Sequence, residues 1–250
     1  MTLLGFFVGF LVGLTGVGGA ALLTPLLVLF GIHPTVAVGT DLFYNSITKL
    51  FGTIQHMRQK SVDKALVRNL AYGSLPGAVF AVLLLKTFDV LFLAQEDIIK
   101  HALGFILIAV AAATLFRTFF DRKIRNNEWQ NKPLSEKRGL IIGIGAVLGF
   151  IVGITSIGSG SLFALAMMYL FRMSTTRIVG TDIAHAFLLV TVAGLLHAGM
   201  GNVDFRLATN LLSGSIPGVL IGSTLSAKIP AKPLRTVLAA LILISGMKLI

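Results

Sequence analysis

The sequence contains no cysteine, which excludes disulfide bonds and thiolate metal sites. Charged residues are also scarce: they make up 12% of the 250 residues, where a soluble domain carries about 25%. No G-x-x-x-x-G-K-[ST] run occurs, so the chain has no Walker-type nucleotide-binding loop of its own. From these absences we expect a protein that is not an ordinary soluble domain, binds no cofactor and holds no metal.

Apolar side chains dominate the composition instead. They make up 55% of the residues, and the mean hydropathy is +0.90. Apolar runs of about 20 residues recur along the chain, and that length crosses a bilayer core of about 30 Å. The runs are continuous rather than alternating, which favours helices over the strands of a barrel. The sequence therefore predicts an all-α polytopic protein of the cell (plasma or inner) membrane.

The formal net charge of +11 would suggest a nucleic-acid partner in a soluble protein. In this chain, however, the lysines and arginines gather in a few loops between apolar runs. That distribution is typical of the positive-inside rule for membrane proteins. We therefore expect contact with the lipid bilayer and no nucleic-acid partner.

The chain contains an internal repeat. Three motifs occur twice in the same order, 140 or 141 residues apart: "VGLTGVGG" at Val12 and "VGITSIGS" at Val152, "VGTD" at Val38 and Val179, and "GSLPG" at Gly73 with "GSIPG" at Gly214. A nearly constant offset over several motifs indicates a duplicated unit. We predict a first transmembrane repeat at 1–116, a charged cytoplasmic linker at 117–138 and a second transmembrane repeat at 139–250.

Each repeat begins with a glycine-interrupted segment, Thr2–Phe30 or Gly139–Phe171, and continues with three ordinary spans. The interrupted segments could cross the membrane once as kinked helices, or enter and turn back as re-entrant hairpins. With hairpins and a cytoplasmic linker, 16 of the 21 lysines and arginines lie inside and four outside; with crossing segments the split is 13 to seven. The positive-inside rule favours the hairpins.

The hairpin arrangement leaves three full spans in each repeat. An odd number of spans inverts the second repeat relative to the first, as in many transporters that work by alternating access. The predicted fold is thus two inverted repeats, each a broken hairpin plus three transmembrane helices, with both termini outside.

The two breaks are candidate anion sites. A half-helix that starts after a break exposes N–H groups without intrahelical partners, together with the positive end of its dipole. Glycine there allows a ligand to approach the backbone closely. The candidate substrate-binding residues are Thr15, Gly16, Gly18, Gly19, Ala20, Thr155, Ser156, Gly158, Ser159, Gly160 and Ser161. The alternative is close helix packing at small residues, which we expect for Gly5, Gly9, Gly104 and Gly149.

Polar side chains within the predicted spans are candidates for the transport pathway or for ion coupling, because charges at membrane depth are costly. Asp41, Asn45 and Lys49 recur every four residues and share one helical face. The other candidates are Asp182, His185, His56 and His197. Three alternatives stay open: the Gly-Thr-Asp motifs cap helices, Lys49 snorkels to the surface, and the histidines serve packing.

Several of these motifs together resemble the sulfite exporter TauE/SafE family. The glycine-rich break, the "LLTPLL" that follows it, the "AVGTD" and the "PG" of the third span are similar to that family in type and order. The resemblance implies an anion permease associated with sulfite, sulfonates or other organosulfur compounds. One departure is the second break, "TSIGSGS", where serines stand at positions that are usually glycine. The two halves of the site are therefore chemically unequal.

The favoured function is a secondary transporter, not an enzyme, for a small anion such as sulfite or an organosulfonate. A passive anion channel is the nearer alternative. An intramembrane serine hydrolase, built from the "IGSGS" serines and His185 or His197, is the more distant one. The sequence leaves open the anion, the direction, the coupling ion and whether the chain forms a homo-oligomer.

Overall fold

A computed structural model describes residues 1–15, 20–92, 95–124, 128–158, 160–226 and 231–250. Within these ranges the chain is helical and contains no strand, which confirms the all-α class. The helices are α1 (Thr2–Thr15), α2 (Ala20–Leu29), α3 (Pro34–Arg58), α4 (Lys64–Phe92), α5 (Gln95–Ile124), α6 (Leu134–Thr155), α7 (Ser161–Leu170), α8 (Thr175–Gly199), α9 (Phe205–Ser226) and α10 (Ala231–Leu249), with a 3₁₀ turn at Glu128–Asn131.

Capping side chains mark where three of the helices begin. Asp63 accepts a hydrogen bond from the Leu66 N–H at 3.1 Å before α4, and Asp204 accepts from the Leu207 N–H at 2.8 Å before α9. Ser174 does the same for α8. Each bond satisfies one of the N–H groups that a helix N-terminus leaves without a partner.

Apolar surfaces on the outside of the helices identify the membrane-facing sides. Large side chains such as Phe7, Phe80, Leu195 and Leu220 are more than half exposed. Four ranges within the described residues are long and apolar enough to cross a bilayer: Lys64–Thr87, Ile99–Phe116, Leu134–Thr155 and Thr176–Gly199. The protein is therefore a multi-pass membrane protein, as predicted.

The second glycine-interrupted segment reverses direction at its break. The Lys137 ammonium, near the start of α6, donates to the carbonyl of Leu170 at the end of α7, at 2.9 Å. It also lies 4.6 Å from the centre of the Phe171 ring. The reversal uses left-handed backbone at Ser156 (φ 61°) and Gly158 (φ +126°). Helices α6 and α7 thus form a hairpin in which the start of α6 lies beside the end of α7.

Helices from the two halves pack in pairs. The pairs α1–α9 and α4–α6 run parallel, since Gly5 faces Leu211 and Gly9 faces Ser215, with an equivalent series between α6 and α4. The pairs α3–α8 and α5–α10 run antiparallel. Helices α1 to α5 of the first half correspond in order to α6 to α10 of the second half. When each helix is replaced by its counterpart, the same four pairs result.

Glycines bring the paired backbones into direct contact. A Cβ added at Gly5, Gly9 or Gly149 would overlap the backbone of the facing helix, and one at Gly104 would overlap Ile250. The packing role expected for these four glycines is confirmed. Small residues are the usual means of close helix approach in membranes.

Part of the stretch expected to be linker is ordered against the helices. Helix α5 continues to Ile124, beyond the predicted end of the first repeat at residue 116. In the 3₁₀ turn, the buried Gln130 amide donates to the carbonyl of Met168 at 2.9 Å. The end of this stretch therefore packs on α7.

Candidate functional site

The Asp41 carboxylate is the centre of a buried polar cluster between the two halves. One of its oxygens accepts hydrogen bonds from the Thr24 hydroxyl at 2.6 Å and from the Ser156 hydroxyl at 2.8 Å. The other accepts from the Asn45 amide at 2.7 Å. Thr24 lies in α2 and Ser156 in the second break. The Asp41 carboxylate, which belongs to α3, therefore connects α2 with the second break.

The interpretation of the Gly-Thr-Asp motifs as helix caps is wrong. Asp41 and Asp182 lie seven residues inside helices that begin at Pro34 and Thr175. Pro34 occupies the first position of α3, where proline is favoured because no N–H partner is needed. Of the interpretations left open for these motifs, the capping alternative is therefore excluded.

The threonines of the same motifs connect the two halves. The Thr40 hydroxyl accepts from the Asp204 N–H, and the Thr181 hydroxyl accepts from the Asp63 N–H, each at 3.0 Å. Each bond reaches the residue that caps a helix in the other half. The duplicated "VGTD" motif thus makes the same contact twice, each time with the aspartate of a Val-Asp pair, Val62–Asp63 or Val203–Asp204.

Lys49 extends the polar face of α3 beyond Asp41 and Asn45. Its side chain is only partly exposed, and it lies within electrostatic range of both Asp41 and Asp182. The predicted face of Asp41, Asn45 and Lys49 is therefore present, and α8 contributes a second carboxylate to it. A cation placed between two carboxylates compensates part of their charge.

A second pair of buried contacts relates the halves. The His185 Nε2 lies 2.8 Å from the Ser74 hydroxyl, between α8 and α4. At the equivalent positions of the other half, the Tyr44 and Ser215 hydroxyls share a hydrogen bond between α3 and α9. Sequence reasoning missed Tyr44, Ser74 and Ser215. The 141-residue offset could have found them, because it aligns Tyr44 with His185 and Ser74 with Ser215.

The histidines His56 and His197, although equivalent in sequence, differ in their surroundings. His197 is fully buried, and its Nε2–H donates to the Gly153 carbonyl in the last turn of α6, at 3.1 Å. His56 is partly exposed, and its Nδ1 pairs with the Ser61 hydroxyl just beyond the end of its own helix, at 2.8 Å. His197, unlike His56, therefore hydrogen-bonds to the helix that leads into the second break.

The second break is described almost completely. Thr155 donates its hydroxyl to the Ile151 carbonyl at 2.8 Å and accepts from the Ile157 N–H at 3.2 Å. Gly160 precedes α7, and its carbonyl accepts from the Ala164 N–H at 3.0 Å. Both hydroxyl groups described at the break, those of Thr155 and Ser156, are thus engaged within the protein. The first N–H groups of α7, like those of any helix, have no intrahelical partner.

Other predicted site residues fall outside this description. Gly16, Gly18, Gly19 and Ser159 lie outside the described residues, and so do the side chains of Thr15, Ala20 and Ser161. Within the described backbone, α1 ends at Thr15, α2 begins at Ala20 and α7 begins at Ser161.

Comparison with known proteins places the chain among membrane proteins of one family. The family model "Sulfite exporter TauE/SafE" matches residues 1–249. "Probable membrane transporter protein YjnA" of Bacillus subtilis (strain 168) is 62% identical over 248 residues, which cover 99% of this chain and 98% of that protein.

More distant relatives match over almost their whole length. "Probable membrane transporter protein YunE" of Bacillus subtilis (strain 168) is 26% identical over 271 residues, covering 100% of this chain and 96% of its own. "Probable membrane transporter protein MJ0441" of Methanocaldococcus jannaschii is 26% identical over 264 residues, covering 99% and 93%. No solved structure matches. The chain belongs to the sulfite exporter TauE/SafE family.

Proposed function

We propose that the protein is a secondary transporter for a small anion, sulfite or an organosulfonate, that works by alternating access. The observation that supports this best is the convergence of Thr24 and Ser156 on Asp41. It brings the first turns of α2 and the second break to one buried point between the halves. We infer that an anion binds there, held by N–H groups at the starts of α2 and α7.

The buried charges suggest how such a site is coupled. Asp41 would repel a bound anion, so its charge must be compensated when the substrate is present. Lys49, which interacts electrostatically with Asp41 and Asp182, provides part of that compensation. We assign Asp41, Asn45, Lys49 and Asp182 to the pathway or to ion coupling, with His185 and His197 beside them; His56 lies at its margin.

Helix directions support two inverted repeats, 1–116 and 139–250, joined by a cytoplasmic linker. If both interrupted segments crossed the membrane, α3 and α8 would run in the same direction. They run antiparallel, and α6–α7 turns back. In a chain without cysteine, Gln59→Cys should be labelled from the cytoplasm and Gly199→Cys from outside. The reverse pattern, or labelling of both from one side, would contradict the proposed topology.

The anion site is tested at the second break. Gly160→Leu places a bulky side chain immediately before α7 and should abolish binding of sulfite and of small sulfonates. Gly143→Leu is the matched control, because a Cβ there meets no atom within 4 Å. Both variants should insert and stay monodisperse in detergent. Unchanged affinity in Gly160→Leu would leave close packing as the reason for the break.

We infer that the protein is not a hydrolase. Ser74 and His185 have the distance of a nucleophile and its base, but within the described chain no group hydrogen-bonds His185 Nδ1 to orient the ring. Tyr44 and Ser215 make the equivalent contact in the other half, where a tyrosine occupies the position of the histidine. Both contacts are better explained as links between helices. Accumulation of the anion against its gradient would exclude the passive channel.

A further inference from the structure

Two adjoining cavities lie at the end of the α6–α7 hairpin that is far from the break. The first, of about 280 Å³, is lined by four cationic side chains and one carboxylate: Lys132, Lys137, Arg172, Arg177 and Asp63. The second, of about 360 Å³, is lined mainly by Met168, Phe171, Met173 and Ile178. Phe171, Arg172 and Met173 border both cavities. A polar and an apolar compartment therefore share one wall.

The charges of the first cavity do not cancel. The Arg177 guanidinium donates to the Asp63 carboxylate at 3.0 Å, so these two groups neutralise one another. Lys132, Lys137 and Arg172 remain, and Asp63 is the only acidic residue among the described lining residues. The cavity thus presents an excess of three positive charges to whatever enters it.

Topology alone does not account for this arrangement. Lysines that orient a membrane protein keep their ammonium groups in water at the surface. Lys137 is 1% exposed, and its ammonium is satisfied by a carbonyl and an aromatic ring rather than by a carboxylate. The neighbouring Glu136 lies within electrostatic range and offsets part of the Lys137 charge. An anion in the cavity would offset more of the charge that Lys132, Lys137 and Arg172 share.

The equivalent end of the first half lacks these cations. At the positions that correspond to Arg172 and Arg177, the chain has Gly31 and Val36. The two halves thus differ in charge at these two positions. The cationic cavity therefore belongs to one end of the molecule, which the proposed topology makes cytoplasmic.

We propose that the double cavity is a binding site for organic anions that carry one anionic headgroup and a short apolar part, with short-chain sulfonates as the chemical class. The headgroup lies among Lys132, Lys137 and Arg172, and the apolar part lies against Met168, Met173 and Ile178. Resting on the proposed transport function, the site acts as a cytoplasmic station for the substrate and selects organic over inorganic anions.

Trp129 provides a direct optical test. It is the only tryptophan of the chain, and the Lys132 ammonium lies 4.5 Å from its ring centre. Titration of the protein in nanodiscs of zwitterionic lipid with 1-butanesulfonate should change the Trp129 emission saturably. Methanesulfonate carries the same headgroup and should bind about tenfold or more weakly, because three methylene groups are not buried.

Variants locate the site. Arg172→Gln should raise the dissociation constant for 1-butanesulfonate about tenfold, the loss expected for one charge-assisted hydrogen bond. Arg206→Gln removes an exposed arginine at the start of α9, far from the cavity, and should leave the constant unchanged. Equal constants for the two variants would overturn the proposal, as would a titration without a saturable response.

Lipid provides the competing source of an anionic headgroup. If phosphatidylglycerol in the nanodisc changes the Trp129 emission and 1-butanesulfonate does not reverse that change, the cavity is a lipid site and the proposal is wrong. Flux measurements distinguish the proposed cavity site from the proposed transport function. Sulfonate flux without binding at Trp129 overturns only the cavity site, whereas binding without flux overturns only the transport function.

Discussion

Asp41 and Asp182 occupy equivalent positions in the two halves, yet their surroundings differ. Asp41 receives hydroxyl groups from Thr24 and Ser156. The position equivalent to Thr24 is Leu165 by the 141-residue offset that relates α2 to α7, or Ala164 by the 140-residue offset. Gly16 corresponds to Ser156, and Leu165, Ala164 and Gly16 all lack a hydroxyl group. Two copies of one helix therefore present the same carboxylate to different chemistry.

The contacts that hold the halves together have not diverged in this way. Thr40 and Thr181 accept equivalent hydrogen bonds at the same distance of 3.0 Å. The comparison shows that duplication preserved the framework, meaning the threonine contacts between the halves. The residues that donate hydroxyl groups to Asp41 have no hydroxyl-bearing counterparts at the equivalent positions. Unequal carboxylates can take different parts in a transport cycle: Asp41 is fixed by the hydroxyl groups of Thr24 and Ser156, and both carboxylates interact with Lys49.

The largest expected effect comes from removing the Asp41 charge. Asp41→Asn replaces an acceptor that three donors share, and it should lower anion flux into proteoliposomes by at least about tenfold. Asp182→Asn is the matched change in the other half and should have a smaller effect. Equal losses in two well-folded variants would mean that the hydroxyl groups of Thr24 and Ser156 do not distinguish the carboxylates.

The glycine contacts should produce the next largest effect. Gly149→Ala forces a Cβ into the backbone of Ser74 and should destabilise the protein by about 1–3 kcal/mol. Gly143→Ala lies in the same helix but meets no atom within 4 Å, so it should be neutral or stabilising by up to about 1 kcal/mol. Thermal unfolding in detergent measures both, and a stable Gly149→Ala protein would argue against direct backbone contact.

The threonine contacts test the preserved framework. Thr40→Val and Thr181→Val keep the side-chain shape and remove one hydrogen bond each, so each should cost about 1 kcal/mol of unfolding free energy. The expected result is equality of the two losses in the same unfolding assay. A marked difference would show that the framework, too, has become asymmetric.

The smallest effect is expected at the Arg177–Asp63 ion pair. The Arg177 side chain is 53% exposed, and exposed pairs contribute less than about 1 kcal/mol. Arg177→Gln should therefore change stability little at low salt, and not at all at high salt where the pair is screened. A large, salt-independent loss would indicate that the pair closes this end of the molecule.

Much of the fold could be predicted because it depends on patterns within short segments. Apolar runs gave the helices, the duplicated motifs paired equivalent positions, and glycine clusters marked the break that the structure shows between α6 and α7. The extension of α5 to Ile124 was not predicted, because the charged sequence after residue 116 suggested a loop rather than the end of a long helix.

The central contacts could not be predicted, since they join residues far apart in sequence. Thr24 and Ser156 lie 17 and 115 residues from Asp41, and nothing local indicates that they meet. The capping alternative stayed open at the sequence level for a related reason. Threonine and aspartate suit a helix start in isolation, but Pro34 had already begun α3 two turns earlier.

The glycine-lined pairs have a mechanical consequence. Helices whose backbones touch cannot rotate about one another without overlap, so α1 with α9, and α4 with α6, must each move as one rigid rod. Each rod contains a helix from either half. The segment copied by duplication and the segment that moves are therefore different units. An opening of the protein would then have to move one rod against the other, while the α1–α9 and α4–α6 contacts stay closed.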